Sequence, residues 1–315
     1  MVATFATRVA GFALLAGMAL APFVSTAADS AACDRACLKG VLDQYLDALV
    51  KHDPGAAPLV TGYRHTENAV NKRLGDGVWK SATALGKVQR RYFDPASSQA
   101  AYYGTLMEGE KAAIVTARLR VESRRIVEAE WYVARNGDPG LPGANPPNLW
   151  SPDSLAATPP PERNLPKAQR LPRETMMAIV NSYFDGITSH DGTVVIARDG
   201  CHRYENGTRV TGNRGGGVSD DCKSGYAGFN LQNVQGRRVA FVDDEQGFVL
   251  GMAVFIRKAG SPVRRNAFSE WFMVQDGRIQ DIWTAMYYPD ANLPVPNWPP
   301  FEGNFPLPAF TTLAQ

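Results

Sequence analysis

The sequence predicts an α+β protein made of two tandem copies of one unit. Three observations favour this fold class: an internal repeat, helical periodicity at the start of each copy, and long strand patterns joined by turns at its end. The chain has 315 residues, which fits two domains of roughly 150 residues each. Each copy is therefore expected to pack N-terminal helices on an antiparallel sheet.

The repeat appears when residues 45–68 are shifted by 138 places onto residues 183–206, without a gap. The shared pattern is Tyr-x-Asp, four residues, His-Asp, eight residues, Gly, four residues, Glu-Asn. Residues 121–126 also resemble residues 274–279, at a shift of 153, so the second copy has gained 15 residues in between (153 minus 138). The preserved order indicates a duplication.

The elements follow in the same order in both copies. Apolar residues at helical spacing predict a helix over 38–49, ended by Asp53-Pro54, and another over 176–187. A short strand and a Gly-rich turn follow, and the pattern of residues 79–92 permits a further helix. Long strands then close each copy, at 101–107, 112–121 and 125–135 in the first and at 237–243, 248–257, 267–274 and 278–288 in the second.

The composition of the segments outside the two copies indicates an N-terminal signal, a linker and a tail. Residues 1–27 have the pattern of an export signal, with Arg8 before an apolar stretch and small residues at the cleavage position. An uncleaved membrane anchor is the alternative, although the stretch is short for a span. We expect a secreted or periplasmic protein with a first domain at 33–135, a Pro-rich linker at 136–170, a second domain at 171–290 and a Pro/aromatic tail at 291–315.

Four cysteines fit an oxidising compartment. They allow three pairings, of which we favour Cys201–Cys222 around a short polar loop and Cys33–Cys37 as the second bridge. Metal binding is the weaker alternative, because neither pair has the two-residue spacing of a zinc knuckle. We expect no metal.

The charge balance excludes some partners. Lys plus Arg number 33 against 31 Asp plus Glu, a net charge of +2, whereas nucleic-acid binding needs a concentrated basic face. The chain lacks a phosphate-binding Gly-Lys-Ser/Thr loop, a Gly-x-Ser-x-Gly elbow and a His-Glu-x-x-His helix. We therefore expect no nucleic-acid partner, no organic cofactor and no membrane span after signal cleavage.

A Tyr-rich first helix, a short strand and a Gly-Arg-Ile hairpin (277–279) together resemble the cone-shaped fold of nuclear transport factor 2, ketosteroid isomerases and SnoaL-like polyketide cyclases. The runs at 33–38 and 63–68 are also similar to an uncharacterised family of secreted proteins with this predicted fold. The resemblance covers about 33–135 and 171–290, and it implies two tandem cones, each with a curved sheet. Related single cones often dimerise through their sheet faces, so pairing of the two copies is also implied.

The resemblance points to a carboxylate on the short strand that faces into the cone and moves protons. Glu67 and Glu205 are the candidates for this general base. His65 shares the strand face of Glu67 and would tune or share its proton, which favours the first copy as the active site. A carboxylate in an apolar pocket has a raised pKa, which suits proton abstraction near neutral pH. The alternative is that the Glu-Asn pair of each copy bonds the backbone of the following Gly-rich turn.

Further candidates surround these carboxylates. Tyr63 and Asn68 are placed to stabilise developing negative charge, and Trp79 and Trp131 either line a pocket or pack the core. His202 and Asn206 are the ligand-contact candidates of the second copy, although His202 beside Cys201 is also placed to orient the disulfide loop. Separately, Glu128 and Glu130 alternate opposite Arg118 and Arg120, a pattern typical of cross-strand ion pairs on a solvated face.

Together these features predict an exported protein that binds a small apolar, aromatic or polycyclic ligand. As an enzyme it would act by cofactor-free acid–base chemistry, as an isomerase, cyclase or lyase/dehydratase. The alternatives are a non-catalytic binding module and a structural or protein-interaction module of the cell envelope. An unpaired carboxylate on the floor of a cavity favours catalysis, whereas titratable groups held only in salt bridges favour binding.

Overall fold

The computed structural model describes residues 1–2, 33–140, 149–212, 220–228, 231–261 and 264–289. The described residues from Cys33 onward belong to one compact unit. Apart from Met1 and Val2, the predicted export signal lies outside the described residues, as does the predicted tail at 291–315. No helix in the described ranges is long and apolar enough to cross a membrane.

Helices and strands fall into two sets with the same order. The first repeat contains α1 (Arg35–Val50), β1 (Leu59–Glu67), β2 (Val70–Lys72), α2 (Val78–Ser81), β3 (Ala84–Asp94), β4 (Gln99–Glu108), β5 (Lys111–Glu122) and β6 (Arg125–Ala134). A short helix, α3 (Pro152–Ala157), follows. The second repeat contains α4 (Arg173–Ser189), β7 (Ala197–Glu205), β8 (Thr208–Arg209), β9 (Leu231–Asp243), β10 (Phe248–Arg257), β11 (Asn266–Gln275) and β12 (Arg278–Tyr287).

Each repeat forms one six-stranded sheet, which confirms the α+β fold class. The strand orders are equivalent, β2-β1-β6-β5-β4-β3 and β8-β7-β12-β11-β10-β9. One pair in each sheet departs from the predicted antiparallel arrangement, since β1 runs parallel to β6 and β7 runs parallel to β12. These strands are far apart in the chain, and therefore no hairpin turn forces them to run in opposite directions.

The register between first and last strands is the same in both sheets. His65 of β1 pairs with Ala129 of β6, and Arg203 of β7 pairs with Ile282 of β12. The first positions differ by 138 and the second by 153 (203 minus 65, 282 minus 129). The two shifts seen in the sequence are therefore the shifts that superpose equivalent strand positions.

Helix α1 begins where Asp34 accepts a hydrogen bond from the backbone N–H of Cys37, at 2.9 Å. Its apolar residues at three- and four-residue spacing are buried against the sheet. Just beyond each long helix, His52 and His190 place Nδ1 2.7 and 3.0 Å from a backbone carbonyl oxygen. These contacts give both histidines a structural role at the helix end.

The segment 79–92 is a strand rather than a helix. Only one turn, α2, is helical, and β3 then pairs antiparallel with β4 from Ala84↔Met107 to Asp94↔Gln99. The apolar spacing of this segment fits either a helix or a strand. The strand forms because pairing with the exposed edge of β4 satisfies the backbone hydrogen-bonding groups of both strands.

Both disulfides have the pairing that the sequence favours, Cys33–Cys37 and Cys201–Cys222. The first joins Cys33, two residues before α1, to the first turn of that helix. The second joins β7 to the segment before β9, where both sulfurs are buried. Two disulfides are typical of proteins from oxidising compartments.

The sheet faces opposite α1 and α4 contact each other across an apolar layer. Trp271 of β11 stacks on Tyr92 of β3 with ring centroids 4.2 Å apart, and its indole N–H donates to Thr116 Oγ1 at 3.2 Å. Two ion pairs related by the repeat flank this layer. They are Arg35–Asp243 at 2.9 Å and Arg173–Asp94 at 2.6 Å.

A charged cluster lies inside this layer. Arg118 contacts both Glu128 and Glu130, and Arg238 of the second repeat contacts Glu130 from the opposite sheet. All four side chains are buried, so the prediction of a solvated face is wrong for these residues. The same alternation of charges along a strand occurs on a face exposed to water and on a face covered by a second charged sheet, so the sequence does not distinguish them. Here the second sheet covers this face and contributes Arg238.

Candidate functional site

The interior of the first repeat, between α1 and its sheet, is filled by aromatic side chains. Trp79 and Trp131 are at most 1% exposed and pack around Tyr45. The Trp131 indole N–H donates to Tyr45 Oη at 3.0 Å, and Tyr63 Oη lies 3.0 Å from the same oxygen. Trp79, Trp131 and Tyr63 are thus core residues of the first repeat.

Glu67, the first candidate for the general base, makes two strong contacts. Its Oε2 accepts a hydrogen bond from the backbone N–H of Val78 at 2.8 Å, directly after the Gly-rich turn. Its Oε1 lies 2.9 Å from Nη1 of Arg135, whose guanidinium also contacts Glu108. This geometry matches the turn-bonding alternative, and the catalytic assignment of Glu67 stays a prediction.

Asn68 and Asn206 have the same role in the two repeats. Asn68 donates to the carbonyl of Val133 at 3.0 Å and accepts from its N–H at 2.8 Å. Asn206 donates to the carbonyl of Met286 at 3.1 Å and accepts from its N–H at 2.9 Å. Each asparagine thus holds the end of its short strand beside the last strand of the sheet.

His65 is buried, and neither of its ring nitrogens has a hydrogen-bond partner among the described residues. Its ring lies against that of Tyr63, with centroids 6.3 Å apart. Burial, assisted by Lys72 and opposed by Asp76, lowers the pKa of His65 to about 4 from 6.5. The imidazole is therefore neutral at physiological pH.

Replacing His65 with leucine should reduce the sensitivity of the protein to acid. Below its usual pKa of 6.5 the unfolded chain protonates this ring, whereas the folded state resists protonation until about pH 4. The neutral ring thus makes its full contribution to the free energy of unfolding above pH 6.5. This contribution is lost as the pH falls, and at pH 5 the free energy of unfolding is lower by about 2 kcal/mol. Urea unfolding at pH 7.5 and pH 5 measures it, and equal losses in the parent and in His65→Leu would contradict the expectation.

The second repeat differs from the first at three equivalent interior positions. Thr284 occupies the position of Trp131, Glu270 that of Ala117, and Arg203 that of His65; in the first sheet Ala117 pairs with Trp131, as Glu270 pairs with Thr284 in the second. A threonine in place of an indole leaves space, and the two charged side chains make that space polar.

A cavity of about 200 Å³ lies between α4 and the second sheet. Its polar lining is Tyr183, Arg203, Glu205, Arg257, Asn266 and Glu270. Its apolar lining is Phe255, Phe268 and Met286. The strand residues among these alternate along β7, β10 and β11, as expected for side chains on one sheet face.

Glu270 is the most perturbed acid of this cavity. Its side chain is 3% exposed, and Oε1 accepts hydrogen bonds from Tyr183 Oη at 3.4 Å and Thr284 Oγ1 at 3.3 Å. Its Oε2 has no hydrogen-bond partner among the described residues. Burial raises the pKa of Glu270 from 4.5 to about 8, against the opposing charge of Arg203. The carboxyl is therefore mostly protonated at pH 7.

Arg203 supplies positive charge beside this carboxyl. Its Nε donates to Glu205 Oε1 at 3.1 Å and its Nη1 to Tyr183 Oη at 3.3 Å. Burial acts to lower its pKa, but Tyr183 and Glu205 outweigh burial, so the pKa is raised and the guanidinium stays charged. Burial also raises the pKa of Tyr183, which remains a neutral phenol.

Of the candidates in the second repeat, only Glu205 lines the cavity. His202 lies between Cys201 and Arg203 on β7, and because neighbouring strand residues face opposite sides of a sheet, its side chain points away from Arg203. Glu270 is a site residue that the sequence patterns do not predict. The available signal was a glutamate in the apolar strand Ala-Phe-Ser-Glu-Trp-Phe, at a position where the first repeat has Ala117. No group of three or more metal-binding side chains occurs within the described ranges.

The second repeat is similar to a known protein family. A family model described as "Domain of unknown function (DUF8021)" matches residues 169–286, which include every residue that lines the cavity. No curated protein matches the chain. Among solved structures, the chain is similar to an NTF-2 like protein of unknown function from Burkholderia xenovorans LB400, at 13% identity and a TM-score of 0.27, over 40% of this chain and 90% of the other. A likeness of this size says nothing about ligand or reaction.

Proposed function

We propose that the cavity of the second repeat is an acid–base site for a small, largely apolar ring compound. The observation that supports this most is the buried carboxyl of Glu270, with one oxygen left without a partner and a pKa raised to about 8. A group that titrates near neutral pH both gives and takes a proton efficiently. The reaction class is an isomerisation, cyclisation or lyase/dehydratase step that uses no metal or organic cofactor.

The neighbouring side chains have distinct roles in this proposal. Tyr183 and Thr284 hold Oε1, so that Oε2 of Glu270 donates its proton to the ligand and takes one back. The Arg203 guanidinium lies where it stabilises negative charge that develops on the ligand. Glu205 holds Arg203 in place through the 3.1 Å ion pair.

The size of the cavity limits the ligand. An apolar cavity of roughly 150 Å³ accommodates benzene. At about 200 Å³ the cavity of the second repeat therefore fits a single ring with a small substituent, and we narrow the expected ligand to this class rather than to polycyclic compounds.

The alternative function is ligand binding without turnover. The Arg203–Glu205 ion pair within the cavity favours it, since paired charges are typical of binding sites and structural networks. In either case we propose that the protein is exported, and that the two repeats pair with each other through the charged and apolar layer between their sheets.

Hydrogen–deuterium exchange on small ring ketones tests the acid–base proposal. A proton-transfer site of this kind exchanges an acidic C–H of a bound ketone such as cyclohex-2-enone in D₂O, and mass spectrometry detects the label. We expect exchange in the parent, a loss of about a hundredfold or more in Glu270→Gln, and retention in Glu67→Gln.

The two variants separate the competing assignments. Exchange that survives in Glu270→Gln but is lost in Glu67→Gln would move the chemistry to the first repeat. Binding of the ketones without enzyme-dependent exchange would favour the binding module.

A further inference from the structure

The charges that line the cavity of the second repeat do not cancel. Arg203 is paired with Glu205, and Glu270 is mostly protonated at pH 7. Arg257 is the remaining charged group, and among the described residues it makes no ion pair. Two cations against one anion leave a charge of +1 in a partly enclosed space. Such a cavity favours a ligand that carries one negative charge.

The guanidinium of Arg257 is held in a fixed position. Its Nε donates to the backbone carbonyl of Arg264 at 3.0 Å, and its Nη2 donates to Oδ1 of Asn266. Within the described part of the chain, no hydrogen bond occupies Nη1 of Arg257. Burial lowers the pKa of Arg257, against the opposing effects of Tyr288 and Glu205. A planar guanidinium with a free N–H edge is suited to bind a carboxylate.

Between this cation and Glu270 the lining is apolar. Asn266, Phe268 and Glu270 alternate on β11 and lie on one sheet face, with about 13 Å between the first and last Cα atoms. Phe255 packs edge-on against Phe268 with ring centroids 4.7 Å apart. The cavity thus has a cationic end, an apolar middle and an acid end.

We infer that the ligand of this cavity is a single-ring monocarboxylate whose carboxylate binds Arg257 and Asn266 and whose ring packs against Phe255 and Phe268. The far side of the ring then meets Glu270. This inference rests on the proposed function only for the identity of the site, because carboxylate recognition at Arg257 does not require turnover at Glu270.

Binding of matched acids and amides to the full chain tests the inference. The probes are benzoate, phenylacetate and cinnamate, each compared with its neutral amide by isothermal titration calorimetry at pH 7. We expect each acid to bind about tenfold or more tightly than its amide, because a charge-assisted pair is stronger than a neutral hydrogen bond. Arg257→Gln should abolish this preference, and Arg257→Lys should restore part of it.

A control variant makes the result specific. Arg278 is exposed on β12 and does not line the cavity, so Arg278→Gln should leave the preference unchanged. Equal binding of acids and amides, no binding of either class, or a preference that survives in Arg257→Gln would overturn the inference. A preference that persists without any exchange in the parent would instead count against the acid–base proposal alone.

Discussion

The Glu270→Gln protein should become more stable relative to the parent as the pH rises from about 5 to about 8. Burial raises the pKa of Glu270 from 4.5 to about 8, so across this range the folded parent keeps a proton that the unfolded chain loses. The stability that the protonated carboxyl contributes is complete below pH 4.5 and is lost as the pH rises through 8. The parent should therefore lose about 1.4 kcal/mol per pH unit relative to a variant that cannot ionise.

Urea unfolding of both proteins at several pH values measures this slope. The hydrogen bonds lost in the variant change its free energy of unfolding by the same amount at every pH, so they do not alter the slope. Glu108→Gln is the control, because the pH dependence of stability that comes from Glu108 has the opposite sign. Burial acts to raise the pKa of Glu108, but Arg135 and Ser81 outweigh it and the pKa is lowered, so its carboxylate stabilises the fold above pH 4.5 and ceases to do so in acid. Parallel stability curves for Glu270→Gln and the parent would show that Glu270 ionises normally.

Replacing Glu130 with glutamine should destabilise the protein by about 3–5 kcal/mol, because it removes the carboxylate that contacts both buried cations, Arg118 and Arg238. Folded domains are typically stable by only about 5–15 kcal/mol, so this is a large share of the total. Urea unfolding at pH 7 measures the loss.

Glu122→Gln on the same sheet is the matched control. Glu122 pairs with Arg120 at 3.2 Å, but its side chain is 58% exposed, and such pairs contribute about 0–1 kcal/mol. A loss at Glu130 no larger than that at Glu122 would mean that water reaches the cluster between the sheets.

Much of the architecture could be predicted from the sequence because it depends on local patterns. Helical spacing placed both long helices, and the repeat related the strands at the correct shifts of 138 and 153. The segment 79–92 was ambiguous because its apolar spacing fits a helix or a strand, and only the pairing with β4 decides. The sequence predicts a solvated face for the cluster around Glu130, because the pattern of one strand does not reveal that a second sheet packs against the face that carries these charges.

The site was harder to predict because it depends on space left inside the fold. Glu67 and Glu205 are equivalent in sequence, yet only Glu205 lines the cavity, since Trp131 fills the corresponding space in the first repeat. That difference comes from Thr284 on a strand distant in the chain. The Glu-Asn pattern shared by the two copies predicted one residue that lines the cavity, Glu205, while its other members, Glu67, Asn68 and Asn206, bond backbone groups. Glu270 and Arg203 lie where the two copies differ.

The ionisation of Glu270 can be observed directly by infrared spectroscopy. Infrared difference spectra of the parent and of Glu270→Gln, recorded from pH 5 to pH 10, isolate its carboxyl band. We expect a protonated carboxyl that ionises at about pH 8 in the parent and is missing from the variant. A Glu270 carboxylate already ionised at pH 6 would contradict this expectation, since the second repeat would then lack the acid on which the proposed site depends.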